Sequence, residues 1–302
     1  MDDSKRLQML ELPRTGKISM VLDTDTFNEV DDQFALAYAL LSPERLNVEA
    51  VYAAPFKNDH AETAESGMEQ SYDEIMRLLG KMKRTDVNVL KGSRTFMTAP
   101  DVPVDSPAAR DLIARAHAHS PEDPLYVVGI ACITNVASAI MMDPSIIDNI
   151  VVVWLGGCST DWPTGMEFNL SEDLYASRYI FNCGCALVHI PAMCVSSHLL
   201  TTLAELKACI GGKNALCDAL VELFEAYSSD HFGWAKEIWD ICAIAYLINP
   251  DWAPSRITHS PILSEYHTYS IDAQRHLIRS VFYIARNPVF RDMFTKLTSL
   301  NV

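Results

Sequence analysis

VLDTDTFNEVDDQFALAYAL, residues 21–40, runs from an apolar strand through an acidic loop into an apolar helix. The strand candidate begins earlier, as KISMVLD (17–23), and the helix follows from about Asp32. Between them Asp23, Asp25, Glu29, Asp31 and Asp32 place five carboxylates within ten residues. Without a counter-ion these groups would repel one another, and some would have to protonate. A hard divalent cation, Ca²⁺ or Mg²⁺, removes that conflict because all the donors are oxygens. Asp31 and Asp32 also open the helix, where its dipole favours negative charge. An EF-hand is excluded, since the loop has no glycine at its sixth position and joins a strand to a helix.

Outward from this loop the chain alternates. NVEAVYAA (47–54), VNVL (87–90), LYVVGI (125–130), IVVVWLGG (150–157) and ALVHI (186–190) read as strands. AESGMEQSYDEIMRLLG (64–80), PAARDLIARAHA (107–118) and TNVASAIMMD (134–143) read as helices between them. The strands are continuous apolar runs, which marks burial on both faces. The expected fold is therefore α/β, with an open, mainly parallel central sheet flanked by helices. Ligands of such sheets bind beyond the carboxyl ends of the strands, where the acidic loop leaves VLD.

The second half reads as more helical. TLAELKACI, LCDALVELFEAYSS, EIWDICAIAYLI and HLIRSVFYIARNPVFRDMFTKL all carry helical patterns. With no repeat or linker, residues 1–302 are expected to form one domain.

Bulk properties narrow the function. A formal net charge of −15 leaves no basic surplus to neutralise phosphates, so nucleic acid is not expected as a partner. No apolar run approaches membrane-spanning length, and MDDSKRLQML lacks a signal-peptide layout. The eight cysteines sit mostly in apolar or helical stretches, as reduced thiols of a cytoplasmic protein would. Cys183-Gly184-Cys185 has no second Cys/His pair at zinc-site spacing.

Four segments carry a resemblance in the same order. They are Asp23-Thr24-Asp25 followed by Asp31-Asp32, then IACITNVASAI (130–140), then WLGG followed by Glu167-Phe168-Asn169, then WDICAIA (239–245). Together they resemble the nucleoside hydrolases, the inosine–uridine-preferring enzymes and their relatives. The resemblance implies a Rossmann-related sheet and a Ca²⁺ ion that holds a water beside the anomeric carbon of a ribosyl group. On that pattern Asp25, Asp32 and Asp240 are metal ligands, and Ile130 lends its carbonyl oxygen. Asp25 is also the general base. Asp31 binds the sugar hydroxyls, Glu167 and Asn169 bind the sugar, and Asp23 supports the cluster from behind. The implied partner is a small nucleoside or sugar substrate, and the implied assembly is a homo-oligomer, a dimer or tetramer.

The chemistry suits these residue types independently. Cleaving an N-glycosidic bond passes through an oxocarbenium-like state that nearby carboxylates stabilise. A divalent cation activates water, and a carboxylate within reach serves as base.

The chain also departs from the family pattern. Five residues separate Asp25 from Asp31, two more than usual, so Asn28 or Glu29 could face the ligand. Ala54-Pro55-Phe56 replaces a Gly-Asn that contacts sugar, leaving Phe56 as an apolar or stacking surface. Asp161 or Thr160 falls where a substrate-binding Asn is expected. Trp239 precedes Asp240 where the inosine–uridine type has a proton-donating histidine, and resembles the Trp that stacks on purines in the purine-specific branch. His231 is a second place for a proton donor. These departures keep two alternatives open: a hydrolase of another ribosyl or small carbohydrate compound, and a non-catalytic sugar- or nucleoside-binding protein.

Overall fold

The computed structural model describes residues 1–301. Its chief feature is an eight-stranded sheet, built from β1 (Ile18–Thr24), β2 (Leu46–Ala53), β3 (Val89–Lys91), β4 (Leu125–Gly129), β5 (Ile150–Leu155) and β6 (Ala186–Ile190) in the first two-thirds of the chain. Two short strands, β7 (Leu200–Thr201) and β8 (Lys236–Glu237), pair antiparallel away from it. β9 (Ser255–His259) returns to the main sheet, β10 (Ile262–Leu263) and β11 (Tyr269–Ser270) pair with each other, and β12 (Leu277–Val281) completes the sheet.

The strand order is β3-β2-β1-β4-β5-β6-β12-β9. Every pairing is parallel except β12 with β9 at the edge. The order reverses between β1 and β4, where the chain first builds outward to β3 and then returns. In open α/β sheets such a switch point is where a crevice opens above the strand ends.

The apolar runs serve both faces of the sheet, as the period of two requires. Val151 and Val153 of β5 join one core with Phe34, Leu36, Ile241 and Ile244. Val152 and Trp154 join the other with Leu112, Val136 and Phe181. The helix following the acidic loop (Asp32–Leu40) is buried along its whole length, so it has no solvated face to betray a period. Helix Ala64–Lys81 is amphipathic instead, and it seats Gly67 against the backbone of Phe56. A Cβ at Gly67 would lie 2.0 Å from the Phe56 carbonyl oxygen.

Four elements differ from the sequence reading. Residues 277–281 form a strand, because LIRSV lies between β6 and β9 and takes ladder bonds from both. Helix Arg286–Ser299 begins only afterwards, with Pro288 in its first turn where a missing N–H costs nothing. The helix read from Glu237 starts at Ile241, since Lys236–Glu237 is drawn into pairing with β7. Helix Asp3–Met9, capped by Asp2, was too short to leave a periodic signal. Among the described residues, no helix is long and apolar enough to cross a membrane.

Candidate active site

The acidic loop leaves β1 at the switch point, and β1 is locked there by its neighbours. The Ile130 N–H donates to the Asp23 carbonyl (2.9 Å), and the Ala54 N–H donates to that of Thr24 (2.9 Å). Two strand ends thus hold the loop's first residues, which are all buried from Asp23 to Thr26. The Asn28 N–H then donates to the Asp25 carbonyl (2.7 Å), turning the chain toward Asp31 at the mouth of the next helix.

Across the cleft, Asp240 stands at the start of helix Ile241–Ile248 with no capping bond from its own side chain. Carboxylate oxygens of Asp31, Asp32 and Asp240 lie within 4.8 Å of one another. Asp25, Asp31, Asp32 and Asp240 are all buried, and all four line one cleft with Ile130. Asp25 Oδ2 is buried without a hydrogen-bond partner. Thr24 Oγ1 donates to Asp32 Oδ1 and also contacts Thr26 Oγ1.

Burial and crowding show in the titration of these groups. Burial first, then the charge of Asp31, pushes Asp32 up to about 7. Burial pushes Asp31 up to about 6, against the pull of Lys236. Asp25 and Asp240 are pushed well above the carboxylate range by burial and then by their acidic neighbours. Asp23 lies behind the cluster. Asn135 donates to its Oδ1 (2.8 Å), its Oδ2 has no partner, and burial raises it to about 7. An all-oxygen, anionic, dehydrated cluster of this kind fits a hard divalent cation.

The far wall of the cleft comes from the segment after β5. Glu167 caps the short helix Phe168–Glu172: its Oε2 accepts from the N–H groups of Gly157 (2.6 Å) and Leu170 (3.1 Å), and its Oε1 from that of Asn169 (3.1 Å). Burial nonetheless pushes it up to about 7. Asn169 is buried and donates through Nδ2 to the Leu155 carbonyl (3.1 Å). Above these polar groups the lining turns apolar, with Met166, Phe168, Met193 and Trp239 at the mouth.

A profile of the inosine-uridine preferring nucleoside hydrolase family matches residues 20–281. The chain belongs to that family. It is a hydrolase acting on the N-glycosidic bonds of nucleosides. A non-specific ribonucleoside hydrolase (RihC) of Salmonella schwarzengrund (strain CVM19633) is 26% identical over 264 residues, covering 78% of this chain and 80% of that one. Two solved structures share the fold. A plant nucleoside hydrolase, PpNRh1, superposes with a TM-score of 0.74 at 18% identity, covering 94% of this chain and all of its own. A purine-preferring ribonucleoside hydrolase from Gardnerella vaginalis does so at 0.71 and 20%, covering 93% and 98%.

In this nucleoside hydrolase eight of the residues singled out from sequence meet in one cleft: Asp25, Asp31, Asp32, Ile130, Glu167, Asn169, Trp239 and Asp240. Asp161 stands outside it. Its side chain is 82% exposed and faces Arg256 (3.5 Å), on a stretch, residues 161–163, that is exposed throughout. Phe56 offers no surface to a ligand; it is fully buried beneath helix Ala64–Lys81. His231 lines a different groove and its Nε2 meets the Glu225 carbonyl (3.0 Å). His189 is buried, with Nε2 on the Gly156 carbonyl (2.8 Å). The longer loop does bring Asn28 and Glu29 to the lining.

Two supporting residues escaped the sequence reading. Lys236 is buried and its ammonium meets Glu29 Oε2 (2.5 Å). Burial acts to lower the Lys236 pKa, but Asp31 and Glu29 outweigh it and hold the group above its usual value. Asn135 bridges Asp23 to the end of β3, accepting at Oδ1 from the Ser93 N–H (2.7 Å). A lone Lys in a two-residue strand and an Asn in an apolar helix carry no periodic or motif signal. The one signal that could have found the second is a polar residue inside the apolar run TNVASAI.

Proposed function

We propose that this nucleoside hydrolase is a Ca²⁺-dependent ribonucleoside hydrolase that leans toward purines. The observation that carries this reading is the convergence of Asp25, Asp31, Asp32 and Asp240 in one buried cleft beneath an aromatic mouth. The unpartnered Asp25 Oδ2 and the upward-shifted carboxyls fit a site completed by a divalent cation. Asp25, Asp32, Asp240 and the Ile130 carbonyl would hold it. A bound Ca²⁺ supplies a positive charge that lowers the pKa of water and offsets the cluster's repulsion.

The chain's own residues do the remainder. Asp25 takes the proton of the attacking water as general base. Asp31 accepts hydrogen bonds from the sugar hydroxyls, while Glu167 and Asn169 hold the sugar from the opposite wall. Asp23, tied to Asn135, backs the cluster and keeps the strand end rigid. The surrounding carboxylates stabilise the oxocarbenium-like charge as the N-glycosidic bond lengthens. Trp239 offers its indole to the base, and a stacked purine presents more area to it than a pyrimidine.

Ribose release from purine and pyrimidine ribonucleosides by the Ca²⁺-loaded protein tests the reading, with Asp25→Ala alongside. Release that vanishes in the variant is the expected result. No release from any ribonucleoside, by protein that retains its cation, would refute it.

A further inference from the structure

The cleft has no residue placed to protonate a leaving base. Six carboxyl groups line it, those of Asp25, Glu29, Asp31, Asp32, Glu167 and Asp240, and among the described residues no His, Lys, Arg, Tyr or Cys does. Four of the six form the acidic cluster assigned above to the cation and the sugar. Glu29 accepts at Oε2 from Lys236 (2.5 Å) and at Oε1 from the Tyr227 hydroxyl (3.3 Å), which holds it as an acceptor. Glu167 is pushed up to about 7 by burial, but three backbone N–H groups donate to its two oxygens and hold it in place as an acceptor. The nearest lysine, Lys236, is committed to Glu29 and the Glu237 carbonyl (3.3 Å). His231 and His189 are turned onto backbone carbonyls elsewhere.

The mouth has the opposite character. Met166 is 59% exposed, Met193 40% and Phe168 37%, and Trp239 completes the collar. Thioether and aromatic surfaces of this kind take a flat ring, and take it better when the ring is cationic. The charge below strengthens that preference. A divalent cation offsets two of the six carboxylates and Lys236 a third, so the cleft stays anionic toward whatever enters.

We propose that the preferred substrates are N-ribosides whose leaving ring already carries a positive charge, a quaternised pyridine or purine ring. This rests on the ribonucleoside hydrolase reading above and narrows its substrate class. In the reaction the C1′–N bond breaks and its electron pair goes to the ring nitrogen, cancelling the ring's charge. Water bonds through oxygen to C1′, and its proton passes to Asp25 and then to solvent. The ring leaves neutral and needs no proton, so no acid is required.

The test compares the Ca²⁺-loaded enzyme on 7-methyladenosine against adenosine, and on nicotinamide riboside against inosine and uridine, by release of ribose. A working general acid levels charged and neutral leaving groups, since it contributes about 10²- to 10⁴-fold to the neutral ones. We expect kcat/KM at least about 100-fold higher for each charged substrate. We also expect a KM for 7-methyladenosine below that for adenosine, since the two differ little besides charge. A smaller preference, or a higher KM for the methylated ring, overturns the inference and leaves the hydrolase reading standing. Ribose from none of the five substrates overturns both.

Discussion

The floor and the mouth of the cleft are built by different physics. The floor comes from strand ends and helix starts at the switch point, with every carboxylate buried and fixed by the backbone it leaves. The mouth comes from the loop side chains Met166 and Met193 and from Phe168 at a short helix's first position, each more than a third exposed. A floor of that kind tolerates little change, because like-charged carboxyls are buried side by side and each depends on its fixed position. A mouth of that kind can change without cost to the fold. On the proposed reading, the contrast separates chemistry, assigned to the floor, from choice of leaving group, assigned to the mouth.

The largest effect is expected at the floor. Asp25→Ala should lower kcat by about a thousandfold or more, with the far-ultraviolet spectrum unchanged. Steady-state kinetics with inosine would show it, and a loss below about tenfold would remove Asp25 from the base role.

The floor should also make stability depend on pH and cation together. Unfolded aspartates titrate near pH ~3.9. In the folded chain Asp31 lies at about 6, and Asp23 and Asp32 at about 7. Between those values the folded state holds more protons than the unfolded one. Cation-free protein should therefore lose stability as pH rises from about 4 to about 7. Ca²⁺ at about 100 times its Kd should restore about 2.7 kcal/mol. The gain in Tm on adding Ca²⁺ should be larger near pH ~8 than near ~5.5, because the ligands must be deprotonated. Calorimetry at the two pH values decides it.

Between floor and mouth lies Lys236, whose side chain is 9% exposed. Lys236→Met leaves Glu29 and Asp31 without their cation. The expected cost is about 1–3 kcal/mol in unfolding free energy, with KM raised more than kcat is lowered. Denaturant titration and kinetics would reveal a merely solvated lysine by the absence of both effects.

The smallest effects belong to the mouth and beyond. Trp239→Leu should raise KM for purine ribonucleosides by about two- to tenfold, matching roughly 0.5–1.5 kcal/mol of aromatic stacking, and spare kcat. Asp161→Asn should leave kinetics within about twofold, since an exposed pair with Arg256 contributes little.

The difference between the two regions also explains what could be read in advance. β1, β2, β4, β5 and β6 were legible as mainly apolar runs, and the acidic loop as more charge than capping could explain. β12 was not, since LIRSV is a strand only because β6 and β9 flank it. β9 itself, SRITH, is half-polar at a sheet edge and carries little pattern. In the site, the carboxylates announced themselves by their density. Lys236 and Asn135 did not, because a single polar residue is informative only once its partner is known.

The amino-acid sequence alone therefore determined a parallel α/β sheet, a cation-seeking acidic loop after its first strand and membership of a hydrolase family. These are properties of local pattern: burial of whole strands and charge packed into ten residues. Tertiary structure alone decided that Asp240 joins that loop from more than 200 positions away and that Asp161 turns outward to Arg256. It also decided that no His, Lys, Arg, Tyr or Cys among the described residues lines the cleft. Those facts depend on which strand ends and loops meet at the switch point, and distance along the chain carries no record of such meetings.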